Sequence, residues 1–89
     1  MRVIPEELKE NLELFEKYLL EVTSVKFSVI KCVGLGMSNL EIAKELYLTE
    51  GTVKKYISEI LMETQLKNRT QIALLYFIIH YLFEEDSMN

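Results

Sequence analysis

Apolar positions recur along this chain at intervals of three and four residues, the spacing of helices that turn one face inward. Leu8, Leu12, Phe15, Leu19 and Val22 form the first such stripe, with a near-heptad period. Pro5 ahead of it suits a first helical turn, where its missing N–H costs nothing. Glu6 and Glu7 then meet the positive end of the helix dipole. The stripe predicts either a helix laid on the domain core or a dimerising or linker helix.

Thr23 or Ser24 can cap a second helix, with Phe27, Val29, Ile30, Cys32 and Val33 at its apolar positions. Gly34-Leu35-Gly36 ends it, because glycine reaches positive φ after a helix. Ser38 with Glu41 spells a capping box for a short third helix carrying Leu40, Ile42, Ala43 and Leu46. Tyr47-Leu48-Thr49 is the turn that follows, and Thr49 is placed to cap the next helix, from Glu50 to about Glu63. Its apolar residues Val53, Tyr56, Ile57, Ile60 and Leu61 share one face; Gly51, Lys55, Ser58 and Met62 lie opposite, with Lys54 and Glu59 on the margins. Asn68 with Gln71 makes another capping box. From Ile72 to Phe83 only His80 interrupts the apolar run. A helix apolar all round must be covered all round: by the helix–turn–helix on one side and by the first helix, a second copy of the chain, or both on the other. Glu84, Glu85 and Asp86 meet its negative end and are expected to fray it.

The predicted class is therefore all-α. With 89 residues, 49% of them apolar, the chain suits one domain with a modest core. Its net charge of −4 is wrong for a simple nucleic-acid binder, yet the distribution changes that picture. Residues 1–21 carry a net −3, residues 22–70 a net +2 and residues 71–89 a net −3. The helix–turn–helix lies in the mildly basic part. Lys54, Lys55 and Ser58 on the outer face of its second helix suit a helix in the DNA major groove, lysine donating to guanine and serine donating or accepting. Gly51 and Thr52 leave room for a phosphate at the helix start. A solvated lysine face explains Lys54 and Lys55 about as well on spacing alone.

The residues Gly36, Ser38-Asn39, Glu41-Ile42-Ala43, Leu46, Gly51-Thr52-Val53-Lys54, Ile57, Ile60-Leu61 and Lys67-Asn68-Arg69-Thr70-Gln71 add a second line of argument. In these paired motifs, from about Val22 to Leu75, the chain resembles the LuxR/NarL-type (GerE-type) DNA-binding domain of bacterial transcription regulators. The resemblance implies a four-helix LuxR-type helix–turn–helix domain at 22–84, here preceded by an extra N-terminal amphipathic helix at 1–21 and followed by an acidic tail at 85–89. It implies base contacts at Lys54, Lys55 and Ser58, the residues the helical wheel also puts outside. Asn39, Thr49, Thr52, Lys67 and Arg69 fall where phosphate or framing contacts are usual; for Asn39 and Arg69 a capping or packing role is an equal alternative. The last helix would pair two copies, giving a homodimer interface at Leu75, Ile78, Ile79 and Leu82, with the first helix as a further element. Double-stranded DNA is the implied partner, the bacterial cytoplasm the implied place, and no cofactor is implied.

Some positions depart from the family pattern. Where an acid-containing Thr-Pro-Arg-Glu type stretch is usual, the chain has Thr23-Ser24-Val25-Lys26; the usual histidine is Tyr56, the frequent asparagine is Glu59, a commonly basic position is Glu63, and Leu-Gly becomes Thr64-Gln65. Two acids on or near the DNA-facing helix are expected to cost affinity. With too few residues before Val22 for a sensing domain, the chain resembles a small stand-alone member or an isolated effector domain.

Other readings find less support. Cys32, the single cysteine, reads as a small buried hydrophobe, and no metal-ligand spacing surrounds it. His80, the only histidine, reads as a core or interface residue, and no catalytic set or phosphate loop is present. No signal peptide pattern and no run long enough for a bilayer are found. The main alternative is a helix–turn–helix repurposed to bind a regulatory protein, given the acidic flanks and the apolar last helix. A promoter-recognition helix–turn–helix like that of a sigma factor is disfavoured by the NRTQ motif after GTVK.

Overall fold

The computed structural model describes residues 5–87, with side chains described to Tyr81. Five helices follow one another: α1 Glu6–Glu21, α2 Ser24–Gly34, α3 Asn39–Leu46, α4 Glu50–Thr64 and α5 Arg69–Ser87. No strand occurs among the described residues. The all-α class and the extra N-terminal helix are thus as the periodicity predicts.

The helix boundaries follow local chemistry. Thr23, not Ser24, caps α2, its hydroxyl accepting from the Lys26 amide at 3.5 Å. Gly36 carries the positive φ of +82° that the chain needs after α2. Gly34 serves a different end: a Cβ there would sit 2.7 Å from Cδ2 of Tyr76, so its bare backbone lets α2 approach α5 closely. Both halves of the capping box before α3 are formed, Glu41 N–H to Ser38 Oγ at 3.2 Å and Ser38 N–H to Glu41 Oε1 at 2.8 Å. Those bonds hold the Glu41 carboxyl below its ordinary value, the backbone bond foremost. Before α5 the pattern is shifted by one residue. Asn68 accepts from the Gln71 amide at 3.0 Å, but the Gln71 side chain accepts from Lys67 N–H at 2.7 Å, not from Asn68 as a regular box requires.

α2 is the hub, packing on α3, α4 and most extensively on α5. Val29, Ile30, Cys32 and Val33 from α2 meet Ile42 and Ala43, Val53, Ile57 and Ile60, and Ile72, Leu75 and Ile79. Burial pushes the Cys32 thiol up, as expected of a core cysteine. α1 lies across α5 and α4, and its stripe is used there: Leu12 and Phe15 are buried, Leu8 and Leu19 partly so. Val22 falls just past the helix as its C-terminal cap.

α5 departs from expectation at its end: its backbone stays helical through Ser87, across Glu84, Glu85 and Asp86, where the sequence predicts fraying. Within one chain it is covered on one side only. Ile72, Leu75 and Ile79 face the core, whereas Leu74, Phe77 and Tyr81 are 50%, 61% and 49% exposed. His80 is at the surface, not in the core, its ring stacked on Tyr76 at 5.9 Å.

Candidate nucleic-acid interface

Thr49 starts α4, its hydroxyl accepting from Thr52 N–H at 3.1 Å and donating to Thr52 Oγ1 at 2.8 Å. That pair caps the start of the helix. Val53, Ile57 and Ile60 then anchor α4 against α2 and α3, with Val53 and Ile60 fully buried. The anchor sets the rotation of the helix, so Lys54, Lys55 and Ser58 stand exposed on the side away from the core. Gly51 and Met62 extend this stripe at either end, Met62 being 76% exposed. The turn before α4 adds Tyr47, left-handed at φ 57° and 95% exposed. Neither Met62 nor Tyr47 is among the contacts inferred from the sequence. Periodicity already put Met62 on the outer face; Tyr47 had no such signal, because turns have no period.

The framing residues divide into two sets. Thr49, Thr52 and Lys67 lie at the exposed or half-exposed surface, beside the starts of α4 and α5. Asn39 and Arg69 are engaged with each other: Arg69 Nη1 donates to Asn39 Oδ1 at 2.5 Å and Nη2 to the Met37 carbonyl at 2.8 Å. The guanidinium thereby bolts the start of α5 to the start of α3, the packing role held open for these two residues.

The acids of α4 are tied to the rest of the fold although neither is buried, their side chains being 33% (Glu59) and 45% (Glu63) exposed. Lys26, at the start of α2, reaches Glu59 at 3.1 Å and Glu63 at 3.0 Å. The Tyr18 hydroxyl of α1 donates to Glu63 Oε1 at 2.5 Å. Glu63 is held below the usual carboxylate range, first by the Tyr18 bond and then by Lys26. Lys26 is raised, chiefly by its bond to Glu63, and burial is the main cause raising the Tyr18 phenol. The unusual residues at positions 26, 59 and 63 are thus one constellation.

The proposed dimer residues also separate. Leu75 and Ile79 are buried in the chain's own core. Ile78 is half-buried. Leu82 lies outside the residues whose side chains are described. The apolar surface that α5 does present is Leu74, Phe77 and Tyr81, with the Phe77 and Tyr81 rings stacked at 6.3 Å.

Among the described residues no group of His, Cys, Asp and Glu could hold a metal ion. No described helix is long and apolar enough to cross a membrane.

A capped helix–turn–helix with an outward Lys-Lys-Ser face defines a DNA-binding module. The family comparison gives the class: residues 23–76 match the model "Bacterial regulatory proteins, luxR family" (GerE), and the chain belongs to that family. It is a class of transcription regulators, not of enzymes. The transcriptional regulatory protein LnrK of Bacillus subtilis (strain 168) is 43% identical over 56 residues, covering 63% of this chain and 26% of that protein. The uncharacterized transcriptional regulatory protein YvfU of the same organism is 39% identical over 72 residues, covering 81% and 34%. The response regulator protein VraR of Staphylococcus saprophyticus is 32% identical over 77 residues, covering 86% and 34%. The chain thus spans about a quarter to a third of the length of these relatives.

Proposed function

We propose that the chain is a sequence-specific transcription regulator that lays α4 in the DNA major groove and acts as a homodimer in the bacterial cytoplasm. Lys54, Lys55 and Ser58 read base edges; Thr49, Thr52 and Lys67 contact phosphates. The observation that carries this reading is the rotation of α4. Three buried side chains, Val53, Ile57 and Ile60, leave both lysines and Ser58 outward on a helix whose start is capped. Cations in that place release counterions from DNA, which makes affinity steeply salt-dependent.

Pairing uses the exposed face of α5, at Leu74, Phe77, Ile78 and Tyr81, in place of the buried Leu75 and Ile79. The stripe of α1 is already occupied within the chain, which leaves α5 as the better surface. A pair of copies doubles the phosphate contacts, and two half-sites give selectivity that one short helix cannot.

Fluorescence anisotropy with duplexes selected from a random library tests the DNA reading. Binding should weaken steeply as salt rises. Absence of binding at low salt, with the protein folded and dimeric, would favour the protein-interaction reading instead. For the dimer, Phe77→Glu should sediment as a monomer that remains folded by circular dichroism, and an unchanged mass would remove this face. Ile79→Glu tests something else, since a carboxylate buried in the core should unfold the chain.

A further inference from the structure

Lys26 and Glu63 each stand at the unfavourable end of their own helix. Lys26 lies in the first turn of α2, whose positive partial charge repels a cation, and no acid shares that turn. Glu63 lies in the last turn of α4, whose negative partial charge repels an anion, and no base shares it. Each alone would weaken its helix. Together they compensate, because the Lys26 Nζ lies 3.1 and 3.0 Å from the two oxygens of Glu63 and 3.1 Å from Glu59 Oε1. The lysine side chain is only 14% exposed, and its single ammonium serves both carboxylates.

Glu59 directly follows the outward Ser58 and flanks the lysine face. A carboxylate there, without a counter-ion, would repel the phosphates that Lys54 and Lys55 attract. We infer that Lys26 is a positioning residue for DNA recognition: from α2 it draws the Glu59 and Glu63 carboxylates back toward the body and offsets one of their two negative charges, so that α4 meets the duplex with its lysines less opposed. Tyr18 supports the arrangement by fixing Glu63 from the α1 side. The inference rests on the reading of α4 as the recognition helix. It assigns a role in DNA binding to a residue outside α4.

The test is anisotropy on the full chain with a duplex selected from a random library, at several salt concentrations. Circular dichroism establishes that each variant is folded at the assay temperature. Lys26→Met should weaken binding about tenfold, as expected when one phosphate contact's worth of attraction is lost. Lys26→Arg, which keeps the charge, should bind like the parent. Adding Glu59→Gln and Glu63→Gln to Lys26→Met should recover the parent affinity to within about twofold, since the harm comes from the unopposed carboxylates. If the triple variant is folded yet binds no better than Lys26→Met, the inference is overturned. Should Lys26→Met not fold, Glu59→Gln with Glu63→Gln in the parent decides: unchanged or tighter binding supports the inference. A tenfold loss there would mean that the acids themselves contact bases, as a glutamate accepting from cytosine does, and would overturn it. Failure of the parent to bind any duplex overturns the recognition-helix reading and this inference with it. Binding by the parent with no change in Lys26→Met overturns the inference alone.

Discussion

In the first half of α4, from the Thr49 cap to Ser58, the charged side chains turn away from the body; in the second half, from Glu59 to the Gln65 cap, they turn back onto it. Both halves use the same apolar anchor, Val53 and Ile57 in one and Ile60 in the other. The polar residues differ in what holds them. Lys54 and Lys55 are exposed. Glu59 and Glu63 share Lys26, and Glu63 also accepts from Tyr18. One helix thus divides into a part presented outward and a part engaged with the fold. A helix can separate binding from stability in this way because residues on different faces meet different surroundings.

The sharpest way to break this comparison is Lys54→Glu with Lys55→Glu. DNA affinity should fall roughly a hundredfold or more, each lost base contact costing about 1–3 kcal/mol. Thermal stability should change by less than about 0.5 kcal/mol, as for other exposed substitutions. Unchanged affinity in anisotropy would show that the assigned face is wrong, and a matching loss of stability would show that the halves are not separate.

A smaller effect is expected at the start of the helix. Thr49→Ala removes the cap and should cost about 1 kcal/mol in urea unfolding. Affinity should fall too if the cap sets the entry angle; a loss of stability with affinity intact would make the cap structural only.

At the other end, Gln65 holds a left-handed φ of 61° where the family usually places glycine. Gln65→Gly relieves that conformation and should gain up to about 1 kcal/mol by calorimetry. A gain in stability that leaves DNA affinity untouched would sharpen the division between the halves.

The smallest expected effect is on pH dependence. The Glu63 carboxyl is lower in the folded chain than its ordinary 4.5, so its contribution to stability is complete above that pH and is lost as pH falls through the folded value. Glu41 adds a contribution of the same sign from its capping box. Removing the first-named cause of the Glu63 shift by Tyr18→Phe should therefore flatten the fall in thermal midpoint on acidification without abolishing it. An unaltered slope would mean that Tyr18 does not hold Glu63.

How far the sequence could be read depended on whether a feature was local. The capping box at Ser38 and Glu41, the Thr49 cap and the outward placement of Lys54, Lys55 and Ser58 all concern residues within one or two helical turns, where 3.6-residue geometry suffices. α5 was the opposite case. With nearly every position apolar, its pattern has no phase, so nothing in it separates Leu75 and Ile79, which face the core, from Leu74 and Phe77, which face out. The acids on α4 looked costly for a similar reason. Their counter-ion is 37 residues away from Glu63 in the chain, and only packing brings α2 beside α4.

The sequence by itself determined the five helices, most of their caps and which side of α4 is polar, because propensity, capping and periodicity act between near neighbours along the chain. Only the tertiary structure decided which apolar face of α5 is used up in the core, that Arg69 bolts α5 to α3 through Asn39, and that Lys26 and Tyr18 hold the two acids of α4. Those are encounters between residues far apart in sequence, set by how the helices pack and not by what any one of them contains.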